Sequence, residues 1–260
     1  MPYTIADNPI MQKIMKENKK KYLAGGIVLL IIIILVILYS IGYRIRNNFT
    51  IGKIGYVTMT IPLPDTSVFI DESDKVVTSQ KNEVVRIPFS PNKHSVIVSH
   101  DLYYPWKKDF DVPSADTLEL FPIFISSNAS GILIPTGDPE YWKIRNSITN
   151  SSMPTKENPL ISKNGKTLIW IENNTILAKI NDEIQTVVQP QTKIKNLNFY
   201  KERQDAVVFS TGADVDVIEI DNPDNQNFMP IYRGTDPAFV IGELNFIYVL
   251  DGRTLMQVTI

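Results

Sequence analysis

The sequence predicts a mainly β protein behind one N-terminal transmembrane helix. Three observations lead there. A run of 21 residues, Leu23–Tyr43, is apolar and carries no charge. Beyond it, short stretches alternate apolar with polar residues between turn-forming clusters. The last hundred residues repeat a strand–turn–strand unit with a period of 40 residues.

The apolar run comes first. At a rise of about 1.5 Å per residue it reaches about 31 Å, the thickness of a hydrocarbon core. Leu23, Ile34 and Tyr43 mark its start, middle and end. It is too long for the core of a cleaved signal, and ILYSIGYRIR has no small-residue cleavage pattern. Lys13, Lys16, Lys19, Lys20 and Lys21 precede it; Arg44, Arg46 and Lys53 follow. The excess of bases on the N-terminal side predicts a cytoplasmic N-terminus and extracytoplasmic β domains, in a single-pass protein of the cell membrane. Residues 1–22 read as a solvated, basic cytoplasmic tail. The alternative is a helix that meets anionic lipid or a cytoplasmic partner.

Charge and composition exclude several functions. The chain has 26 Lys+Arg and 28 Asp+Glu, a net charge of −2. From residue 47 onward the counts are 19 and 26, a net −7. Nucleic acid, which needs a basic footprint, is therefore not an expected partner. With no cysteine, the chain has no disulfide, thiolate metal site or cysteine nucleophile.

Residues 51–125 read as a small antiparallel β-sandwich. IGYVTMTI (Ile54–Ile61) sets Val57, Met59 and Ile61 on one face and Tyr56, Thr58 and Thr60 on the other. SVFID (Ser67–Asp71) is a short strand, and DESD (Asp71–Asp74) is a turn by composition. VVRIPF (Val84–Phe89) alternates through Val85, Ile87 and Phe89. PNK (Pro91–Lys93) turns the chain into HSVIVSH, and KKDFDV and LELFPIFI (Leu118–Ile125) read as two further strands.

This stretch resembles a PEGA domain, a small β-sandwich named for a Pro-Glu-Gly-Ala turn before a V-x-I-D strand. PDTSVFID (Pro64–Asp71) stands in that place: Pro64 matches, Asp65 is conservative, and Thr66 and Ser67 depart. PNKHSVIVSHDLYYPWKKDFDV resembles the family's P-G-K-H-x-V-x-V-x-x-x-G-Y-x-P-W pattern. Asn92 replaces the first glycine and Tyr103 is taken at the second. The resemblance covers about 70 residues and implies a bacterial membrane protein.

Residues 126–160 read as a linker, because NSITNSSMPTKENP (Asn146–Pro159) has little to bury. The preceding GILIPTGDPEYWKI holds apolar residues that would pack on a neighbour. Residues 161–260 hold the repeat: TLIWIENNTILAKI, VVFSTGADVDVIEI and IYVLDGRTLMQVTI end at Ile180, Ile220 and Ile260. Asn173-Asn174, Gly212-Ala213 and Asp251-Gly252 are the expected turns. A 40-residue all-β repeat is the signature of propeller blades. ISKNGKTLIWI resembles bacterial propeller-like repeats of the ISPDGK-hairpin type. Two to three blades fit, so a partial β-propeller-like array with open sheet edges is expected, which invites a homo-oligomer or another chain.

The residues offer little for catalysis. His94 and His100 lie on one strand about 20 Å apart, too far for one metal. The serine-hydrolase G-x-S-x-G and both glycine-rich phosphate loops are missing. DVDVIEIDNPDNQN (Asp214–Asn227) is acidic, but Pro223 interrupts a calcium loop started at Asp221, and Asp214 and Asp216 read as a solvent face. Four N-x-S/T triplets, at Asn48, Asn128, Asn150 and Asn173, are those of an Asn-rich chain. No metal, no cofactor and no enzymatic activity is expected.

The rings of HDLYYPW (His100–Trp106) and the pair Tyr141-Trp142 are the candidate ligand-binding residues: Tyr103, Tyr104, Trp106, Tyr141 and Trp142. They either stack on a carbohydrate or peptide or pack into their own small domain. A disulfide-free domain of this size needs its large apolar groups, which favours packing. The function expected is an envelope scaffold or binding protein, held in the lipid bilayer and presenting β domains to a protein or cell-wall polymer. The alternative is an envelope enzyme on a degenerate, hydrolase-like propeller.

Overall fold

The computed structural model describes residues 9–45, 50–128, 131–220, 226–243 and 245–260, and within these the chain is mainly β, with two helices. The first helix, α1 (Pro9–Ser40), runs unbroken through 32 residues. Within the expected tail, Pro9–Tyr22 is helical and continuous with the apolar run; residues 1–8 lie outside the described residues. Its Lys, Met, Gln and Glu are good helix formers, and no glycine or proline follows Pro9 before Gly25. Lys21–Ser40 is long and apolar enough to cross a membrane, and no part of it is buried.

The helix ends at Ser40, short of the expected Tyr43. Gly42 takes φ of 91°, a left-handed conformation that stops helical propagation. Arg44 then caps the end. Its Nη1 donates to the Tyr39 carbonyl at 2.9 Å, and its guanidinium lies 3.7 Å from the Tyr39 ring centroid. Tyr43 opens β1 (Tyr43–Ile45), which pairs antiparallel with β2 (Ile51–Lys53). Arg46 and the Asn48 triplet lie outside the described residues.

Seven strands follow: β3 (Gly55–Ile61), β4 (Ser67–Ile70), β5 (Asp74–Val77), β6 (Glu83–Phe89), β7 (Lys93–Ser99), β8 (Trp106–Asp111) and β9 (Thr117–Leu120). They form two sheets, ordered β6-β3-β9 and β5-β4-β7-β8. The alternation read from the sequence holds: Val57, Met59, Ile61, Val85, Ile87, Phe89, Val96 and Val98 are all buried. The DESD turn has Asp71 and Glu72 at positive φ, and it leads into β5, a strand the sequence did not signal. β9 stops at Leu120, not Ile125, because Pro122 has no N–H for a ladder. The left-handed position before the aromatic rings falls on Leu102, with φ of 65°. The glycine of the resembled pattern therefore corresponds to Leu102 and not to Tyr103.

The chain divides into two compact units. One holds the chain through Thr58, Arg86–Lys93 and Asp111–Glu119. There Gly55 is required: an added Cβ would meet the Pro113 carbonyl and stand 2.6 Å from Val112. The Arg86 guanidinium lies 4.1 Å from the Tyr56 ring centroid. The other unit holds Met59–Val85, His94–Phe110 and Leu120–Ile260.

In this second unit the expected linker is folded. It contributes β10 (Gly131–Ile134) and α2 (Tyr141–Thr149); among its described residues, 126–128, 135–140 and 150–159 lie outside these elements. The repeats supply β11 (Leu160–Ile161), β12 (Thr167–Glu172), β13 (Thr175–Ile180), β14 (Glu183–Val188), β15 (Asn196–Phe199), β16 (Ala206–Ser210), β17 (Asp214–Glu219), β18 (Phe228–Arg233), β19 (Pro237–Ile241), β20 (Phe246–Asp251) and β21 (Thr254–Thr259). They build three four-stranded antiparallel sheets, ordered β11-β12-β13-β14, β15-β16-β17-β18 and β10-β21-β20-β19. In the third sheet, β10 takes the outer place that β14 and β18 hold in the other two. The expected open edge on β21 is therefore covered.

Two of the three hairpin turns match the sequence reading. Asn173 and Asn174 take φ of 50° and 60°, the type I′ geometry that Asn tolerates. Around Gly212-Ala213 the loop is closed by Thr211 N–H donating to the Asp214 carbonyl at 3.0 Å. The third turn shifts by one residue. Asp251 pairs with Thr254, so Gly252-Arg253 form the loop, with Gly252 at φ of 59°.

The apolar faces explain the packing. Ile169, Ile176 and Ala178 of the first sheet meet Val207, Phe209 and Ile218 of the second in one buried cluster. Tyr141, Ile144 and Ile148, spaced along one face of α2, pack with Leu250 and Leu255 of the third sheet. The 150–159 segment is tied down as well: Ile171 N–H donates to the Pro154 carbonyl at 3.0 Å, and Asn196 Nδ2 to Ser151 Oγ at 2.6 Å.

Candidate binding site

The five candidate rings separate into different environments. Trp106 is 1% exposed. Its indole N–H donates to Glu219 Oε1 at 2.7 Å, and Lys108 Nζ and Asn227 Nδ2 donate to Glu219 Oε2 at 3.2 and 2.8 Å. A ring so enclosed offers no face to a ligand, so Trp106 is a packing residue that fastens β8 to β17. Tyr141 is 4% exposed and belongs to the α2 core. It too is removed from the ligand-binding set by burial.

The other three keep some access. Tyr103 is half-buried between His100 and Phe124, with edge-to-face ring contacts at 5.2 and 6.0 Å. Tyr104 lines a cavity of about 160 Å³ with Ser126, Pro230, Tyr232 and Arg233. That is small for an organic ligand. Trp142 is exposed and stands edge-on to Tyr141 at 5.2 Å. These rings do not converge on one pocket.

A larger cavity, of about 650 Å³, lies elsewhere, where the β15–β16 and β19–β20 turns meet. Its lining is divided by chemistry. Ile241, Phe246 and Ile260 make it apolar; Lys201, Glu202, Glu243 and Asn245 make it polar.

The local sequence builds both parts. After β15 the chain turns tightly: Tyr200 N–H donates to the Ala206 carbonyl at 2.9 Å and Arg203 N–H to the Tyr200 carbonyl at 3.0 Å. Lys201 takes φ of 53° to make this turn. Arg203 forms a two-pronged pair with Asp205, at 2.8 and 2.6 Å, which fixes the loop. On the facing turn, Phe246 N–H donates to the Glu243 carbonyl at 3.1 Å, and Ile260 N–H to the Asn245 carbonyl at 2.9 Å. Gly242 is required there, because a Cβ would run into the Phe246 ring.

Electrostatics single out Lys201. Its ammonium lies 5.1 Å from the Tyr200 ring centroid. Burial holds its basicity below that of an ordinary lysine, and the neighbouring Arg203 charge adds to this. Tyr200 is 3% exposed, and burial pushes its hydroxyl far above the usual phenol range. Glu202 is engaged by Lys163 at 2.9 Å, and Asn164 reaches Gln204, its counterpart 40 residues on. No sequence signal marks this site. YKERQD has no motif, and its lysine is distinguished only by backbone conformation and burial.

Two other polar features that stood out in the sequence lie apart from this cavity. His94 Nδ1 and Asp71 Oδ2 lie 2.7 Å apart, and Ser95 N–H donates to Asp71 Oδ1 at 2.9 Å, which ties the β4–β5 turn to β7. Asp216 is 6% exposed, not on a solvent face as its alternation with Asp214 suggested. Asp221 and the start of the candidate calcium loop lie outside the described residues. Among the described residues no group of three or more His, Cys, Asp or Glu is placed to hold a metal ion.

Comparison with known proteins adds one loose likeness. No family model matches the chain, and no curated protein matches it. A crystal structure from Bacteroides fragilis, provisionally described as a membrane-associated protein of unknown function, is similar at 11% identity. The likeness covers 78% of this chain and 93% of that one, with a TM-score of 0.24.

Proposed function

We propose that this chain is a membrane-anchored scaffold or binding protein of the bacterial envelope, with a cytoplasmic N-terminus and extracytoplasmic β domains. In this reading residues 51–125 are a PEGA-like sandwich, and the three four-stranded sheets are a short propeller-like array. The array presents its loops and cavity to a protein or a cell-wall polymer. The observation that carries the reading is the Lys21–Ser40 stretch of α1, an apolar helix with nothing packed on it. A helix apolar on all sides and unburied belongs in lipid. The 40-residue offset between paired loop residues and the strand lent by β10 support the propeller-like part.

Membrane fractionation with alkaline carbonate tests the anchor, and single introduced cysteines test the orientation against a cysteine-free background. A cysteine at Ser79 should react with an impermeant thiol reagent on intact cells, and one near the N-terminus should react only after lysis. Release by carbonate, or labelling with the opposite sidedness, would overturn the reading.

A further inference from the structure

We propose that the cavity between the β15–β16 and β19–β20 turns binds a small carboxylate with an apolar tail, the carboxylate against Lys201 and the tail against Phe246. The proposal rests on the binding-protein reading above and gives it a ligand class.

Size is the first support. A cavity of about 650 Å³ falls within the range of about 300–1,000 Å³ typical of organic-ligand sites. Charge is the second. Among the described residues, Lys201 has no carboxylate within ion-pair distance, and its ammonium lies over the Tyr200 ring. The nearby cation, Arg203, is already held by Asp205 and by the Pro122 carbonyl at 3.4 Å. A partly buried ammonium without a counter-charge is the group here that gains most from an incoming anion.

The two glutamates in the lining do not reverse this. Glu202 is already engaged by Lys163, and Glu243 is exposed to water and screened. They do limit the anion. One lysine in a lining that also holds two carboxylates suits a monoanion and disfavours a phosphate dianion. Apolar geometry is the third support. The Phe246 ring is seated on Gly242, and Ile241 and Ile260 extend the same apolar surface. A preformed apolar wall beside one fixed charge selects an amphipathic acid.

Limited acetylation with acetic anhydride, resolved lysine by lysine by mass spectrometry on the full chain in neutral detergent, tests this. The probes are 4-phenylbutyrate, 4-phenylbutanol and acetate. By mass action, 4-phenylbutyrate at ten times its Kd should slow Lys201 acetylation about tenfold. Lys163 and Lys195 should be unaffected, and neither the alcohol nor acetate should match the acid. In Phe246→Ala the protection, taken against that variant's own ligand-free rate, should weaken severalfold. No protection at about 10 mM 4-phenylbutyrate would overturn the proposal, since that is weaker than a millimolar site. Equal protection by the alcohol would overturn the role of the charge, and equal protection by acetate that of the tail. Carbonate fractionation of the membranes from which the protein is extracted separates the two readings: absence of protection in a protein that those membranes retain defeats only this proposal.

Discussion

The Trp106 indole and the Glu219 carboxylate are 2.7 Å apart in space and 113 residues apart in sequence. Lys108 completes the contact with its side chain 8% exposed against 1% for Glu219. Buried charges of this kind are tolerated because they pair with one another, and Trp106 and Asn227 add two more donors to the carboxylate. The consequence is that β8 and β17 are locked by a pair that neither half sustains alone.

Removing one partner should therefore cost more than removing both. Lys108→Met leaves a buried carboxylate, and Glu219→Leu leaves a buried ammonium; each should lower unfolding stability by about 3–5 kcal/mol. The double variant should lose clearly less than the sum. Denaturant unfolding followed by tryptophan fluorescence measures all three. Additive losses would show that the pair is not coupled.

Gly234 supplies a second test. Asp251 accepts hydrogen bonds from Thr235 N–H at 3.0 Å, Asp236 N–H at 2.8 Å and Tyr232 Oη–H at 3.0 Å. Burial alone would raise the Asp251 carboxyl, but these donors and the Lys195 charge together hold it below its ordinary value. Gly234 backs onto this cluster, and a Cβ there would run into the Asp251 carboxylate and stand 2.7 Å from the Tyr232 ring. Gly234→Ala should cost about 1–3 kcal/mol by overpacking, read as a lower thermal midpoint. An unchanged midpoint would mean the β18–β19 connection yields freely.

Much of this was legible in the sequence because it depends on local pattern. Period-two alternation placed Val57, Met59 and Ile61 inside, and Asn173-Asn174 announced a type I′ turn. What escaped depends on distant partners. Ile132 and Leu133 in β10 are ordinary apolar residues until β21, more than a hundred residues later, lends them a ladder. The rings of HDLYYPW look like a platform until Glu219 accepts the hydrogen bond of the Trp106 N–H. Lys201 differs from other lysines only through a loop conformation set by Arg203 and Asp205.

Asp216 predicts a pH dependence of stability. Burial lifts its carboxyl from 3.8 to about 7, the Asp214 charge adds to the rise, and Arg233 opposes it. Between about pH 4 and about pH 7 the folded protein keeps a proton that the unfolded chain has released. The folded state then binds more protons, so this residue's contribution makes stability fall as pH rises through that window and level off above it. Asp216→Asn keeps the side chain neutral throughout. It should match the parent near about pH 4 and exceed it near about pH 8, read as urea midpoints. A constant difference between the two proteins across pH would place the effect in packing rather than protonation.

The strand lent by β10 predicts a change in association. β10 pairs with β21 from Gly131↔Val258 to Ile134↔Leu255, so it covers backbone groups that would otherwise line an open edge. Replacing residues 131–134 with a Gly-Ser stretch of equal length weakens the ladder and removes Ile134 from the α2 cluster. The uncovered β21 edge should then pair with another copy, and light scattering in detergent should show larger, concentration-dependent species where the parent shows none. The same species should form in a variant that keeps Ile134 and changes only Ile132 and Leu133, which are 71% and 65% exposed, to proline. If both variants scatter like the parent, β10 is not what protects the edge, and α2 alone must shield the third sheet.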